Sequence, residues 1–236
     1  MTPVHLYGVL GAEGRDPPSI AGLDGHPVRA LPLGERFAWV SELNEPAQTV
    51  TPRRLREHDA VLGRAVAAGL SPAPALVGRS HASDDAVIAA LGARDAAIGE
   101  ALALARGRVE MSLLIAPAAA PTPSQPETAG RGGEGAGARH LRRIASELHG
   151  ERNLLDAASV LAQSLAVALA GMVVAERIVE NAAPPVLIGR AHLIARGDVE
   201  RYLESVEQLI EASDPFLRVV VRGPGAAYSF AAVQGG

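Results

Sequence analysis

Three short apolar stretches bounded by turn residues open the chain: Val4 to Leu10, Val28 to Leu33 and Arg36 to Leu43. Each predicts a strand, with turns at Asp24-Gly25 and Leu33-Gly34-Glu35. The period then lengthens. Thr51 is placed to cap a helix whose first residue is Pro52 and which runs to about Gly69, with Leu55, Leu62, Val66 and Leu70 as its apolar stripe. A second helix starts at Ser83, carries Asp84 and Asp85 in its first turn, lines up Val87, Leu91, Ile98 and Leu102, and stops at Gly107. A strand from Val109 to Ile115 closes this half.

The most abrupt change of pattern lies at 117–138, where a Pro/Ala run gives way to a Gly-rich run that cannot bury a core. This segment predicts a linker between an N-terminal unit, 1–116, and a C-terminal unit, 139–236. Helical sequence follows from about Arg139 to Asn181, with an expected interruption near Gly150 and an end at Pro184-Pro185. Then come a strand (Val186 to Ala195), a helix opened by Asp198, and a strand (Phe216 to Arg222). Val199, Tyr202, Leu203, Val206 and Leu209 or Ile210 would face inward on that helix, and Glu200, Glu204, Glu207 and Glu211 outward. A strand-helix-strand unit crosses over right-handed and pairs in parallel, directly or with one strand between. The predicted class is α+β, two small domains, the second built on a ferredoxin-like split βαβ sheet with long helices.

The ending, Arg222 to Phe230, stands out against an aromatic content of 3%. Gly223 and Pro224 break the last strand, and Tyr228 and Phe230 then place two rings where they can anchor the terminus against a core.

The net charge of -4 is spread along the chain, and no basic block is long enough for a nucleic-acid footprint. All 22 basic residues are arginine, and there is no cysteine, which rules out disulfides, thiolate metal sites and cysteine nucleophiles. The first residues lack the charged and apolar regions of a signal peptide, so cytoplasmic residence is the expectation. Between Ala157 and Ala175 the chain runs 19 residues without a charge, but only seven of them are Val or Leu. Those seven supply only about -2 to -4 kcal/mol toward insertion. A buried helix is therefore expected there and no membrane span.

Candidate chemistry is sparse. Gly8, Gly11 and Gly14 have the spacing of neither a dinucleotide fingerprint nor a phosphate loop, and there is no lysine to reach a phosphate. Of the seven histidines, no two stand three or four apart on a helix. His58 falls near the stripe of the first helix, where a hydrogen-bonded core role is expected. Ser80-His81 and Ser229 lack a nucleophile-elbow setting. Glu110 alternates with apolar residues and is expected to face solvent. No catalytic residue, cofactor or metal site follows, which predicts a non-enzyme.

Several segments, in order, resemble the gas vesicle accessory proteins of the GvpL/GvpF family. Gly223, Pro224, Tyr228, Ser229 and Phe230 match the family's Gly-Pro-Trp-Pro-Pro-Tyr-Ser-Phe terminus, while Gly225, Ala226 and Ala227 depart from it. Leu6-Tyr7-Gly8-Val9 resembles the opening strand, and Phe37 to Glu42 the next one. Leu55 to Leu62, with His58, is similar to a His-x-x-Val-Leu helix. Gly107 to Glu110 and Ala191 to Ile194 resemble two later strands. The resemblance implies a divergent two-domain α+β accessory protein of gas vesicle assembly, without catalysis. It also implies residence at the gas vesicle, contact with the small hydrophobic major shell protein and with other accessory proteins, and Tyr7, Gly8, His58 and the terminal residues as family-motif or partner-contact positions. The alternative is an enzyme or small-molecule-binding protein with tandem ferredoxin-like domains.

Overall fold

The computed structural model describes residues 2–46, 49–118, 136–179 and 185–233, with side chains except at 136–151. Two four-stranded antiparallel sheets carry the architecture. In the first, strands β1 (Val4–Leu10), β2 (Arg29–Leu33), β3 (Arg36–Glu42) and β4 (Ala73–Pro74) lie in the order β2-β3-β1-β4. A register shift between Leu6 and Gly8 reverses the alternation of β1 partway along. Val4, Leu6 and Val9 consequently share one cluster, while Tyr7 and Leu10 belong to another on the opposite face. Helix α1 (Pro52–Ala67) covers the Tyr7 face, and α2 (Asp84–Gly92) and α3 (Asp95–Ala105) contribute to the other cluster through Val87, Leu91 and Ile98.

The expected caps are present. Thr51 Oγ1 accepts the Arg54 N–H, and Ser83 Oγ accepts the Ala86 N–H. Two details differ. The inward stripe of α1 is His58, Val61, Leu62, Ala65 and Val66, whereas Leu55 is exposed. The long second helix is two helices, which break at Ala93 and Arg94.

The second sheet contains β5 (Arg108–Pro117), β6 (Val173–Ile178), β7 (Ile188–Ala195) and β8 (Leu217–Gly225) in the order β6-β7-β5-β8. Helix α4 (Ala136–Leu169) joins β5 to β6, and α5 (Val199–Glu211) joins β7 to β8. The result is the βαββαβ arrangement of a ferredoxin-like sheet. β7 and β8 both run antiparallel to β5, which lies between them, so the split βαβ holds. The strand at 109–115, which chain order had assigned to the first half, is thus the first strand of the second sheet. Residues 119–135 of the expected linker lie outside the described residues.

Helix α4 runs through Gly150 without interruption and stops at Leu169, and Val173–Ile178 form a strand instead of continuing the helix. β-branched Val173, Val174 and Ile178 suit a strand, and pairing with β7 outweighs the alanine-rich helical propensity before them. Inward on α5 are Tyr202 and Val206, with Leu203 exposed. Among the described residues no helix is long and apolar enough to cross a membrane.

The halves share a core. One cluster joins Tyr7, Leu10, Trp39 and Leu62 to Met111, Leu161, Leu165 and Tyr202. Arg196, at the end of β7, donates to the Val66 and Leu70 carbonyls at 2.5 and 2.7 Å and so caps the C-terminal end of α1.

Candidate functional site

After β8 the chain turns back to the first sheet. Gly223 sits at φ 121°, and a Cβ there would come within 2.6 Å of the Glu110 carbonyl and 2.9 Å of Met111 Sδ. Only glycine fits this close passage over β5. The Gly223–Pro224 bond is cis. A short helix, α6 (Tyr228–Ala231), follows, and the Val233 N–H then donates to the Pro74 carbonyl at 2.6 Å, forming a parallel bridge with Ala75 just past the edge strand β4.

Each matched side chain of the terminal segment has a defined seat. The Tyr228 hydroxyl donates to Asp59 Oδ1 of α1 at 2.7 Å. The Ser229 N–H and hydroxyl donate to the two carboxylate oxygens of Glu110 at 2.7 and 2.8 Å. The Phe230 ring lies 5.8 Å from the Arg177 guanidinium of β6. Glu110 is 9% exposed, so it does not face solvent as its alternation suggested; the terminal segment covers it. Burial raises its pKa, and the two bonds from Ser229 oppose that rise. Burial, followed by the hydrogen bond to Asp59, raises that of Tyr228.

Beneath Tyr228 is a ladder of rings from β1 and α1. His58 lies 6.0 Å from Tyr228, Tyr7 5.3 Å from His58, and His5 4.7 Å from Tyr7. The Tyr7 hydroxyl accepts the Leu23 N–H at 2.6 Å and bonds Ser41 Oγ at 2.9 Å. His5 and His58 join ring nitrogens, Nε2 to Nδ1, at 2.8 Å. The other His5 nitrogen, Nδ1, faces the Arg79 carbonyl at 3.3 Å. A carbonyl only accepts, so the Arg79 carbonyl favours the tautomer with the proton on His5 Nδ1, in which His5 Nε2 accepts from His58 Nδ1–H. His58 Nε2 is buried, with no partner of hydrogen-bonding geometry among the described residues. Burial lowers the His5 pKa to about 3 and that of His58 to about 4. The Ala75 backbone, by favouring a proton on His58, opposes its drop. Both rings are therefore neutral core groups. Gly8 completes the set: a Cβ there would meet the Ala73 carbonyl at 2.6 Å, so glycine lets β4 approach β1.

The structure thus brings Tyr7, His58, Tyr228, Ser229, Gly223 and Pro224 together at one seam, with Gly8 at its first-sheet edge and Phe230 at its second-sheet edge. Sequence reasoning missed His5, Asp59, Glu110 and Arg177, whose partners lie far along the chain. A shallow groove of about 320 Å³ beside the seam is lined by Asp59, Glu110, Ser112, Arg222, Pro224 and Tyr228, among others. Ser229 commits its hydroxyl proton to Glu110, and no histidine bonds it among the described residues. Nor do three His, Asp or Glu side chains converge as a metal site among the described residues.

A different surface is notable for what it exposes. On α4, Ala158, Leu161, Leu165 and Leu169 are buried, while Leu155, Val160 and Val167 are exposed at 45%, 67% and 74%. Val174 and Ile178 of the edge strand β6 are exposed as well.

Among curated proteins, none matches the chain. Two solved structures share its fold. The gas vesicle protein GvpF from Anabaena sp. PCC7120 is 20% identical, with a TM-score of 0.74 over 99% of both chains. The gas vesicle protein GvpF from Microcystis aeruginosa is 17% identical, with a TM-score of 0.74 over 99% of this chain and 100% of that one. Residues 3–232 match the model of the gas vesicle synthesis protein GvpL/GvpF family. With that match spanning nearly the whole sequence, the chain belongs to the GvpL/GvpF family of gas vesicle proteins.

Proposed function

We propose that this protein is a non-catalytic accessory factor of gas vesicle assembly that binds the small hydrophobic shell protein, at or near the vesicle in the cytoplasm. The observation that carries the reading is the outer face of α4. Val160 and Val167, seven residues apart, protrude from one face of a helix that carries no charge from Ala157 to its end at Leu169. Core helices hide such side chains, and this exposed pair, with exposed Val174 and Ile178 on the edge strand that follows, supports a partner surface there. An apolar shell subunit is a partner of matching chemistry, received as a helix or strand laid along that face.

In this reading the terminal segment has an indirect role. Tyr228, Ser229 and Phe230 fasten α1, β5 and β6 to one another, which holds the edge strand that follows α4. Other accessory proteins of the vesicle are further partners. The alternative, a small-molecule-binding protein, draws on an open groove of about 930 Å³ lined by Arg15, Arg36, Phe37 and Arg106, among others. Capture of the purified shell protein by the full chain separates the two. Association supports the accessory role, whereas no association together with a defined small molecule copurifying favours the alternative.

A further inference from the structure

The two faces of the second sheet carry opposite charge. On one face, Met111, Leu113, Ile115, Leu217, Val219 and Val221 pack in the core shared with α4 and α5. Alternation sends their neighbours to the other face. There the register aligns Arg222, Ser112, Ala191 and Arg177 in one row across all four strands, with Val220, Leu114 and Gly189 in the next and Arg218 beside Ala116 beyond. Helices α3 and α6, with Ala227 before α6, cover the far part of this face against Leu193 and Ala175, Val179 packs beside Gly189, and Ala191 and Ala116 are buried, so the arginines on its two edge strands are what it exposes. Arg177, Arg218 and Arg222 are exposed, and among the described residues no carboxylate pairs with them. Glu110, the carboxylate on the same face, is engaged by Ser229.

On the opposite side of the sheet, α5 exposes Glu200, Glu204, Glu207 and Glu211. Their spacing puts all four on one stripe of the helix. Leu203 is exposed beside them, and none of the four is ion-paired among the described residues.

These two surfaces lie on opposite layers of one domain, so a single chain cannot join them. We propose that a second copy of this chain does: the acidic face of α5 in one copy docks on the arginine-framed sheet face of the next. Arg218 and Arg222 are four strand residues apart, about 13 Å, and the acidic stripe from Glu200 to Glu211 extends about 16 Å along the helix axis, so both arginines fall within its length. Leu203 on the helix and half-buried Val220 on the edge strand supply an apolar contact between the charges. Because the contact joins two different patches, it leaves one of each free and propagates head to tail. Its charged character makes it sensitive to salt. This assembly is independent of shell-protein binding and uses a different surface.

Sedimentation velocity on the full chain tests it. At low ionic strength the average mass should rise with protein concentration, and at high ionic strength it should return to that of the monomer. Arg218→Glu/Arg222→Glu and Glu204→Arg/Glu207→Arg should each abolish association while circular dichroism and melting temperature stay near wild type, since all four side chains are exposed. An equal mixture of the two variants should associate again, through the complementary faces that each retains. A wild type that stays monomeric at low salt, reversal variants that associate like wild type, or a mixture that stays monomeric would overturn the proposal.

Discussion

The phenol of Tyr228 reaches across 169 positions of sequence to Asp59, which accepts its hydrogen at 2.7 Å. The bond ties the last helix to the first and seats the terminal segment over the His58 ring. Removing only the hydroxyl measures it. Because Asp59 is exposed, Tyr228→Phe should cost about 1 kcal/mol, the typical net worth of a hydrogen bond. For a chain of this size that is a fall of about 3 °C in melting temperature. A double-mutant cycle with Asp59→Ala should show the two changes to be coupled and less than additive.

Glu110 is the second fastening. Ser229→Ala removes one of two donors and should cost about 1 kcal/mol in urea unfolding. Glu110→Ala should cost more, about 2–3 kcal/mol, because it strands both the Ser229 N–H and its hydroxyl in a partly buried site. If the two substitutions prove equal, the carboxylate does not organise the segment.

Gly223 and Gly34 separate two kinds of glycine requirement. Both have positive φ, at 121° and 62°, but a Cβ at Gly34 would meet nothing within 4 Å among the described residues. Gly34→Ala should therefore cost only the left-handed conformation, about 1–2 kcal/mol. Gly223→Ala adds overlap with the β5 backbone and should cost more than Gly34→Ala by denaturant titration.

Acid should destabilise the protein through His5 and His58. Their folded pKa values, about 3 and about 4, lie below the ordinary 6.5. The unfolded chain therefore binds more protons than the folded one between those limits. The stability these neutral rings provide is complete above about pH 6.5 and is lost as pH falls toward 4 and then 3. His58→Gln should lower stability at pH 7 and also flatten the decline between pH 6.5 and pH 4, as read from melting temperature against pH.

Local signals in the sequence were enough for elements whose boundaries depend on adjacent residues. Thr51 and Ser83 cap the helices they were expected to cap, because a cap bond spans three residues. The split βαβ was legible because its handedness and pairing follow from short connections. Where the outcome depended on distant partners, local reading failed. Val173 to Ile178 follow an alanine-rich helix and become a strand only because β7 is there to pair with. Glu110 alternates like a solvent-facing residue and is covered by Ser229, 119 positions later. Leu55 and Leu203 fit a helical stripe within the accuracy of counting, yet packing rotates both outward. The terminal residues could be singled out by their rings against an aromatic-poor background, but their seat could not.

The claim that the outer face of α4 receives the shell protein is tested most directly by binding of purified shell protein to the wild type and to Val160→Glu/Val167→Glu. Both positions are exposed, so the variant should melt near the wild-type temperature. The account predicts that the wild type binds and that the two charges weaken binding by about tenfold or more, the cost of charging two apolar contacts at an interface. A folded variant that binds as tightly as the wild type would contradict it.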